Sequence, residues 1–201
     1  MNGTGTANAE NLTLLKDDEL VLRAQSGDKA AEEELLVRYA GIVRSKAREF
    51  FLAGGETEDL IQEGMIGLYR AIGDYRVGTE NSSFKNFAYL CVRRRIIDAV
   101  KSSARKKNVP LNNYVSIFSG EELSADTSEI SPEESLIQSE NRREFMQKMS
   151  TVLSDFEFKI TVMYMNGMSC AEICAATNKS EKSVDNAIQR SKKKLLKLLK
   201  R

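Results

Sequence analysis

The 201-residue chain carries 30 Lys and Arg against 29 Asp and Glu, contains no histidine and only two prolines, and is 41% hydrophobic. This composition favours helices, and the lack of histidine and of the common catalytic motifs argues against an enzyme. The odd number of cysteines and the missing histidines argue against disulfides and zinc, so we expect neither a metal nor a cofactor. No apolar run is long enough to span a membrane and the polar N-terminus does not resemble a signal peptide, which predicts a cytoplasmic protein.

The first helical pattern begins near Asp17, after residues 1–16, which we expect to be a flexible N-terminus. Asp28 can accept hydrogen bonds from the first turn of a second helix and so cap it. The apolar spacing of that helix continues to Phe51, and the glycine pair at 54–55 is expected to stop it.

Thr57 opens a third helix with one apolar stripe. Gly64 and Gly67 lie inside it, although a glycine there costs about 1 kcal/mol relative to alanine. We therefore expect another backbone or helix to approach closely at these two positions. The spacing alone leaves open whether that neighbour belongs to the same domain or to a partner protein.

A fourth, longer helix extends from Phe84 to about Lys106, with Ser82 or Ser83 as its cap. Residues 85–107 hold eight bases and one acid, a net charge of +7. Aromatic side chains beside such a cationic track suit unstacked bases and a single-strand backbone. The alternative is that the rings are part of the core, which we favour for Phe84, whereas Phe87 and Tyr89 fit either role.

Regular patterning fails after Asn108. Residues 120–140 hold seven acids and no base, a net charge of −7. We expect residues 109–134 to form an acidic, largely irregular linker, because such composition cannot bury enough apolar surface to fold. The linker would join two helical domains, residues 17–108 and residues 135–201, in an all-α protein.

Residues 169–188 contain the strongest local pattern in the chain. Ser169 and Glu172 form a capping box that opens a short helix, Asn178 tolerates a left-handed turn, and Ser180 caps a second helix. Residues 179–201 hold nine bases and two acids, a net charge of +7. This pattern predicts a helix-turn-helix that binds the major groove of DNA, with an ordinary solvated helical hairpin as the alternative.

These motifs resemble those of the bacterial sigma-70 family of RNA polymerase sigma factors. Residues 59–64, 67–68, 84–88 and 93–96 are similar to region 2 of that family, and the helix-turn-helix is similar to region 4. Residues 66–69, 110–112 and 183–187 carry a closer similarity to its stationary-phase and sporulation members. The resemblance extends from about residue 19 to residue 199.

The resemblance implies a non-enzymatic subunit that binds core RNA polymerase and directs promoter-specific initiation. The third helix would bind the β′ clamp helices through Asp59, Leu60, Gln62, Glu63, Gly64, Gly67 and Leu68. The fourth helix would read and open the −10 element through Lys85, Phe87, Tyr89, Arg93, Arg94, Asp98, Lys101 and Arg105. The helix-turn-helix domain would contact the β flap and read the −35 element through Lys182, Ser183, Asn186, Gln189, Arg190 and Lys193.

The resemblance also raises the question of how the free protein is kept off DNA, by contacts between its domains or by an anti-sigma partner. Primary family members carry two tryptophans where this chain has Leu90 and Cys91, which implies weaker strand wedging here. The main alternative is a stand-alone helix-turn-helix regulator that binds operator DNA, which would leave the third helix without a role. A single-strand-binding or structural protein would leave the capped helix-turn-helix unexplained.

Overall fold

The computed structural model describes residues 12–50, 57–78, 83–106 and 132–199. All regular elements in these ranges are helices: α1 Asp17–Gln25, α2 Lys29–Arg48, α3 Thr57–Asp74, α4 Phe84–Lys106, α5 Pro132–Val152, α6 Asp155–Met165, α7 Cys170–Thr177 and α8 Glu181–Leu199. Helices α1–α4 enclose one apolar core and α5–α8 enclose another. The all-α, two-domain prediction is therefore confirmed. Most of the predicted linker, residues 109–131, lies outside the described residues, and its last three residues begin α5.

The caps at the start of α2 and α4 are the predicted ones, but α2 ends earlier than its apolar spacing indicates. Asp28 accepts hydrogen bonds from the N–H groups of Ala30 and Ala31, and Ser83 accepts one from the N–H group at the start of α4. The helix ends at Arg48 rather than Phe51, because hydrogen bonds to the third preceding carbonyl tighten its last turn. The glycine pair at 54–55 lies outside the described ranges.

Residues 12–16, the last part of the predicted flexible N-terminus 1–16, are held against the first domain. The Leu12 side chain is buried in the first core. The Arg38 guanidinium donates hydrogen bonds to the carbonyl oxygens of Thr13 and Leu15 at 3.2 and 3.0 Å, and forms an ion pair with Asp17 at 2.8 Å. Because Arg38 is far from residues 12–16 in sequence, its hydrogen bonds to their carbonyl oxygens cannot be inferred from the sequence of this segment. Residues 1–11 are not among the described residues.

Helix α3 packs closely against α2 and α4 through its two interior glycines. A Cβ atom added to Gly64 would lie 2.7 Å from Val43 Cγ1 and 3.2 Å from Ile96 Cδ1. One added to Gly67 would lie 3.1 Å from the carbonyl oxygen of Cys91. Both glycines therefore serve packing inside the domain, which decides between the two alternatives left open by their spacing.

The two domains contact each other in this structure. The C-terminal half of α2 contacts residues 164–168, which are the end of α6 and the turn that follows it. Hydrogen bonds cross the domain boundary from Arg44, Ser45 and Arg48. Among the described residues, no helix is long and apolar enough to cross a bilayer. The same part of the chain contains no group of three or more Cys, Asp or Glu side chains arranged to hold a metal ion.

Candidate nucleic-acid interface

The helix-turn-helix is built from bonds between residues close in sequence. Ser169 N–H donates to Glu172 Oε2 at 2.5 Å, and Glu172 N–H donates back to Ser169 Oγ at 3.3 Å. The hydrogen bond from the Ser169 backbone N–H, together with the Ser169 side chain, lowers the pKa of the Glu172 carboxyl. Asn178 ends α7 in the left-handed region, with φ 52°, and Ser180 Oγ accepts a hydrogen bond from Ser183 N–H in the first turn of α8 at 3.4 Å. The predicted capping box, turn and second cap are all confirmed.

Helix α8 has one buried side and one exposed polar side. Val184, Ala187, Ile188 and Leu195 are buried in the second core, as predicted. Lys182, Asn186, Gln189 and Lys193 are exposed, and Ser183 is half-buried at the edge of that face. The outer face therefore presents an ammonium group and two amides in the first half of the helix, the side-chain types that pair with guanine and adenine edges.

Glu157 of α6 binds two of the bases of α8. Its carboxylate is buried and lies 2.6 Å from Lys194 Nζ and 3.3 Å from Arg190 Nε. Burial alone would raise the pKa of Glu157, but hydrogen bonds from Lys194 and the Ser154 backbone outweigh it and hold the pKa at about 2. Lys194 is thereby engaged inside the domain, whereas the Arg190 side chain stays 57% exposed and retains nitrogens for a phosphate. Sequence pattern did not indicate this ion pair.

Helix α4 presents a charged face of mixed exposure. Lys85, Arg94, Asp98 and Arg105 are exposed, and Arg93 and Lys101 are half-buried. The predicted aromatic track is only partly available to a ligand. Phe84 is buried against Tyr39 and Tyr75, with ring centroids 5.3 Å apart in each pair.

Phe87 and Tyr89, the two rings left undecided by the sequence, are both half-buried. The Phe87 ring packs against Tyr75 at 5.6 Å, and Lys46 Nζ lies 4.8 Å from the centre of the Tyr89 ring. Each ring thus has a neighbour within the domain and an exposed edge. A base could stack on either ring only at the part of the ring that these contacts leave exposed.

Four of the seven residues predicted to contact a partner on α3 are buried within the domain, and all seven assignments to a partner stay predictions. Leu60, Gly64, Gly67 and Leu68 are buried in the domain, because their side of the helix faces α2 and α4. Asp59 and Gln62 are exposed. Glu63 is half-buried and forms an ion pair with Arg95 Nε at 2.7 Å, so it joins α3 to α4.

Two exposed apolar side chains on α3 were missed as candidate contact residues. Ile66 is 41% exposed and Tyr69 is 55% exposed. With Asp59 and Gln62 they follow at i, i+3, i+7 and i+10, which places all four on one helix face. The signal was present in the sequence, since Ile66 and Tyr69 fall off the apolar stripe that contains Leu68. We refer to Asp59, Gln62, Ile66 and Tyr69 as the α3 surface.

Comparisons with known proteins agree with this architecture. Residues 35–106 match the family described as Sigma-70 region 2, and residues 159–195 match Sigma-70, region 4. The RNA polymerase sigma-H factor of Bacillus subtilis (strain 168) is 40% identical, over 98% of this chain and 95% of that protein. The sigma-H factor of Bacillus licheniformis is 40% identical over 94% of this chain and 89% of that protein. The ECF RNA polymerase sigma-E factor of Escherichia coli (strain K12) is 28% identical over 87% of this chain and 95% of that protein. The chain therefore belongs to the sigma-70 family of RNA polymerase sigma factors.

Proposed function

We propose that this chain binds core RNA polymerase and directs initiation at promoters that carry −10 and −35 elements, including those of stationary-phase and sporulation genes. The observation that carries the proposal is the capped helix-turn-helix, whose α8 presents Lys182, Asn186 and Gln189 outward beside a basic C-terminal half. The polymerase supplies the chemistry, and we assign no catalytic residue to this chain. The resemblance to stationary-phase and sporulation members supports the choice of genes.

The −35 element is assigned to the outer face of α8. Side chains near the start of a recognition helix reach base edges, where Lys pairs with guanine and Asn or Gln with adenine. Lys182, Asn186 and Gln189 occupy these positions, with Ser183 beside them. Lys193 and the exposed nitrogens of Arg190 are placed for phosphates farther along the helix.

The −10 element is assigned to α4. Arg94, Asp98, Lys101 and Arg105 lie along one side of the helix and would follow the upstream edge of the element. Lys85 and Arg93 add positive charge, and the exposed edges of Phe87 and Tyr89 are the candidates for contact with unstacked bases. Primary family members carry two tryptophans where this chain has Leu90 and Cys91. Because the smaller side chains would wedge the strands apart less strongly, we expect this chain to favour promoters close to the ideal sequence.

Core polymerase is assigned to the α3 surface, with the β′ clamp helices as the expected partner, and the β flap is assigned to the second domain. An exposed Ile and Tyr on one helix face, with an acid and an amide beside them, have the composition of a protein interface rather than a solvated helix. An anti-sigma partner stays a prediction, as does a cytoplasmic location.

The direct test is transcription by core RNA polymerase from a template with −10 and −35 elements, with and without this chain. We expect specific transcripts only when the chain is present. The double variant Asn186→Ala with Gln189→Ala should reduce these transcripts about 10- to 100-fold on a −35-dependent promoter. This range follows from the loss of about 1–3 kcal/mol, which is typical of a bidentate base contact. Lys197→Ala, an exposed α8 substitution outside the base-reading positions, is the control.

The stand-alone regulator makes the opposite prediction. It requires tight binding of duplex DNA by the free chain, usually as a dimer, and no change in polymerase selectivity. Sedimentation of the chain with and without core polymerase, followed by transcription, separates the two functions. Transcripts that do not depend on the chain would contradict the proposal.

A further inference from the structure

Glu157, the third residue of α6, has both carboxylate oxygens bonded within its own domain. Its Oε2 accepts hydrogen bonds from the Ser154 N–H at 3.0 Å and from Lys194 Nζ at 2.6 Å. Its Oε1 accepts one from Arg190 Nε at 3.3 Å. Because the side chain is only 6% exposed, a buried carboxylate of α6 holds two bases of α8.

The start of α6 does not require the negative charge of this residue. In a capping box the third helical residue supplies an acceptor to the N–H of the cap, and glutamine can take that place. Helix α7 begins with the same box, at Ser169 and Glu172, yet the Glu172 side chain is 56% exposed. Burial of a carboxylate costs free energy unless bonds to cations offset it. The charge at position 157 is therefore explained by Arg190 and Lys194 rather than by the helix cap.

Arg190 and Lys194 lie one turn apart along one edge of the outer face of α8. At 3.6 residues per turn, Arg190 falls beside the exposed Asn186, whereas Lys194 falls beside the buried Ala187. The exposed fraction of the two side chains follows this order, at 57% for Arg190 and 43% for Lys194. Glu157 therefore binds the bases at the border between the polar face of α8 and the core.

The ion pair with Lys194 removes a base from the set that can meet phosphates. Each phosphate neutralised by a lysine or arginine releases counterions, which steepens the fall of log affinity with log salt by about 0.9. This attraction is the same for every DNA sequence, whereas contacts with base edges carry specificity. With Lys194 held by Glu157, α8 meets any duplex with one ammonium group fewer.

The bond to Arg190 has a different effect, because this side chain stays largely exposed and keeps nitrogens for a phosphate. Contacts with phosphates fix the register of a protein on the duplex. A guanidinium held at its Nε meets a phosphate when the duplex is seated in one register, whereas a mobile guanidinium follows phosphates in many registers. Holding the side chain in advance also lowers the entropy cost of ordering it on binding. The bond therefore favours one seated complex over all others.

We propose that Glu157 is a positioning residue for −35 recognition, which withdraws Lys194 from the DNA and fixes Arg190 in the orientation that the correctly seated duplex requires. The inference rests on the proposed function and deepens it. Because the Glu157 side chain is buried, it acts on the DNA only through the two bases that it holds. Part of the sequence discrimination is thereby assigned to a residue outside the outer face of α8.

The test uses the full chain assembled with core RNA polymerase. The probe is a promoter duplex that the wild-type holoenzyme transcribes, and the competitor is the same duplex with its −35 bases randomised. Affinities for both duplexes at several potassium chloride concentrations give the specificity ratio and the salt slope. Glu157→Gln removes the charge but keeps an acceptor for the cap. Glu144→Gln is the charge-matched control, because Glu144 lies in the same domain in an exposed ion pair with Lys148.

We expect Glu157→Gln to bind the randomised duplex more tightly, with a salt slope steeper by about 0.9, because Lys194 can then reach one more phosphate. The ratio of the affinities for the promoter and the randomised duplex should fall about 3- to 10-fold, because Arg190 is no longer ordered in advance. Adding Lys194→Met to Glu157→Gln should return the salt slope to the wild-type value. Glu144→Gln should match the wild type in both quantities.

An unchanged ratio and slope overturn the positioning role, as does an equal loss of affinity for both duplexes, which would mean that Glu157 only stabilises the domain. The same fall in the ratio for Glu144→Gln also overturns it. If circular dichroism shows that Glu157→Gln loses its helices, two adjacent lysines decide the question. Lys193→Ala should flatten the salt slope by about 0.9 and Lys194→Ala should leave it unchanged, so equal flattening contradicts the proposal. Failure of the proposed function looks different, because core polymerase with the wild-type chain would then select no promoter duplex, and the positioning role would fail with it.

Discussion

The two domains place their candidate functional helices by different means. In the second domain, bonds made within a few residues begin α7 at Ser169, end it at Asn178 and begin α8 at Ser180. In the first domain, α3 is held by residues far away in sequence, with Gly64 against Val43 and Ile96. Short-range bonds make the helix-turn-helix predictable from sequence, whereas the exposed face of α3 depends on what its neighbours cover.

The largest expected effect tests whether α3 depends on long-range packing. Gly64→Ala should lower the free energy of unfolding of the first domain by about 2 kcal/mol, because a methyl group there overlaps the buried Val43 side chain. Gly73→Ala, on the same helix, is the matched control. A Cβ atom there meets nothing within 4 Å, so helix propensity should raise the stability by up to about 1 kcal/mol. Urea unfolding of both variants measures the difference, and equal signs would contradict the packing argument.

The next prediction concerns Glu157. Although the second domain relies mainly on short-range bonds, this carboxylate forms ion pairs with residues far away in sequence. The folded-state pKa of about 2 lies below the ordinary value of 4.5. The bonded carboxylate therefore stabilises the domain above about pH 4.5, and this contribution is lost as the pH falls from 4.5 towards 2. We expect about 1–3 kcal/mol to disappear over that window.

Thermal unfolding from pH 7 to pH 2 measures this loss. Glu157→Gln should already be destabilised at pH 7 and should show a flatter pH profile than the wild type. Glu172→Gln removes another carboxylate with a lowered pKa, but one that is exposed and bonded mainly to its own capping box. Its effect should be smaller, and a larger effect at Glu172 would mean that local caps dominate this domain too.

A smaller effect distinguishes the exposed side chains of α3, which would contact the polymerase, from those that hold the helix in its domain. Tyr69→Ala should weaken core polymerase binding by about 1–2 kcal/mol, the loss typical of a partly buried aromatic contact, without changing stability. Glu63→Arg is expected to lower stability by up to about 1 kcal/mol, because it replaces the ion pair with Arg95 by repulsion. Polymerase titration together with urea unfolding distinguishes the two variants. A Tyr69 variant that binds normally would remove that residue from the interface.

The smallest expected effect tests the local signal at the turn of the helix-turn-helix. Asn178 has φ 52°, a conformation that glycine adopts freely and alanine does not. Asn178→Ala should lower the stability of the second domain by about 1 kcal/mol, and Asn178→Gly should change it by a few tenths. Urea unfolding of the two variants measures this order, and a glycine variant less stable than the alanine variant would contradict the backbone argument.

Much of the candidate site was predictable because it depends on charge and on short-range bonds. The basic character of α4 and α8, the capping box at Ser169 and the exposed positions Lys182 and Asn186 follow from spacing within a few residues. Resemblance to the sigma-70 family added the roles of these elements, and the match to both family regions confirmed the membership. The individual contacts with DNA and polymerase stay predictions.

The rest could not be read locally, because it depends on which distant groups meet. Leu60 and Leu68 were assigned to a partner surface, but packing of α3 against α2 and α4 buries them. The same packing leaves Tyr69 in solvent. Periodicity identifies an apolar stripe, yet it does not say which residues beside that stripe remain uncovered.

For this chain, local sequence was sufficient for the helices, their caps, the two-domain arrangement and the order of its charged segments, since these depend on neighbours along the chain. Tertiary structure decided the role of the glycines, the partners of Glu63 and Glu157, and the burial of Arg48 against the second domain. The partners in each of these contacts are about 20 to 120 residues apart. A basic residue at the end of α2 looks like an ordinary helix terminus until the fold brings the carbonyl oxygens of Tyr164 and Met168 to it.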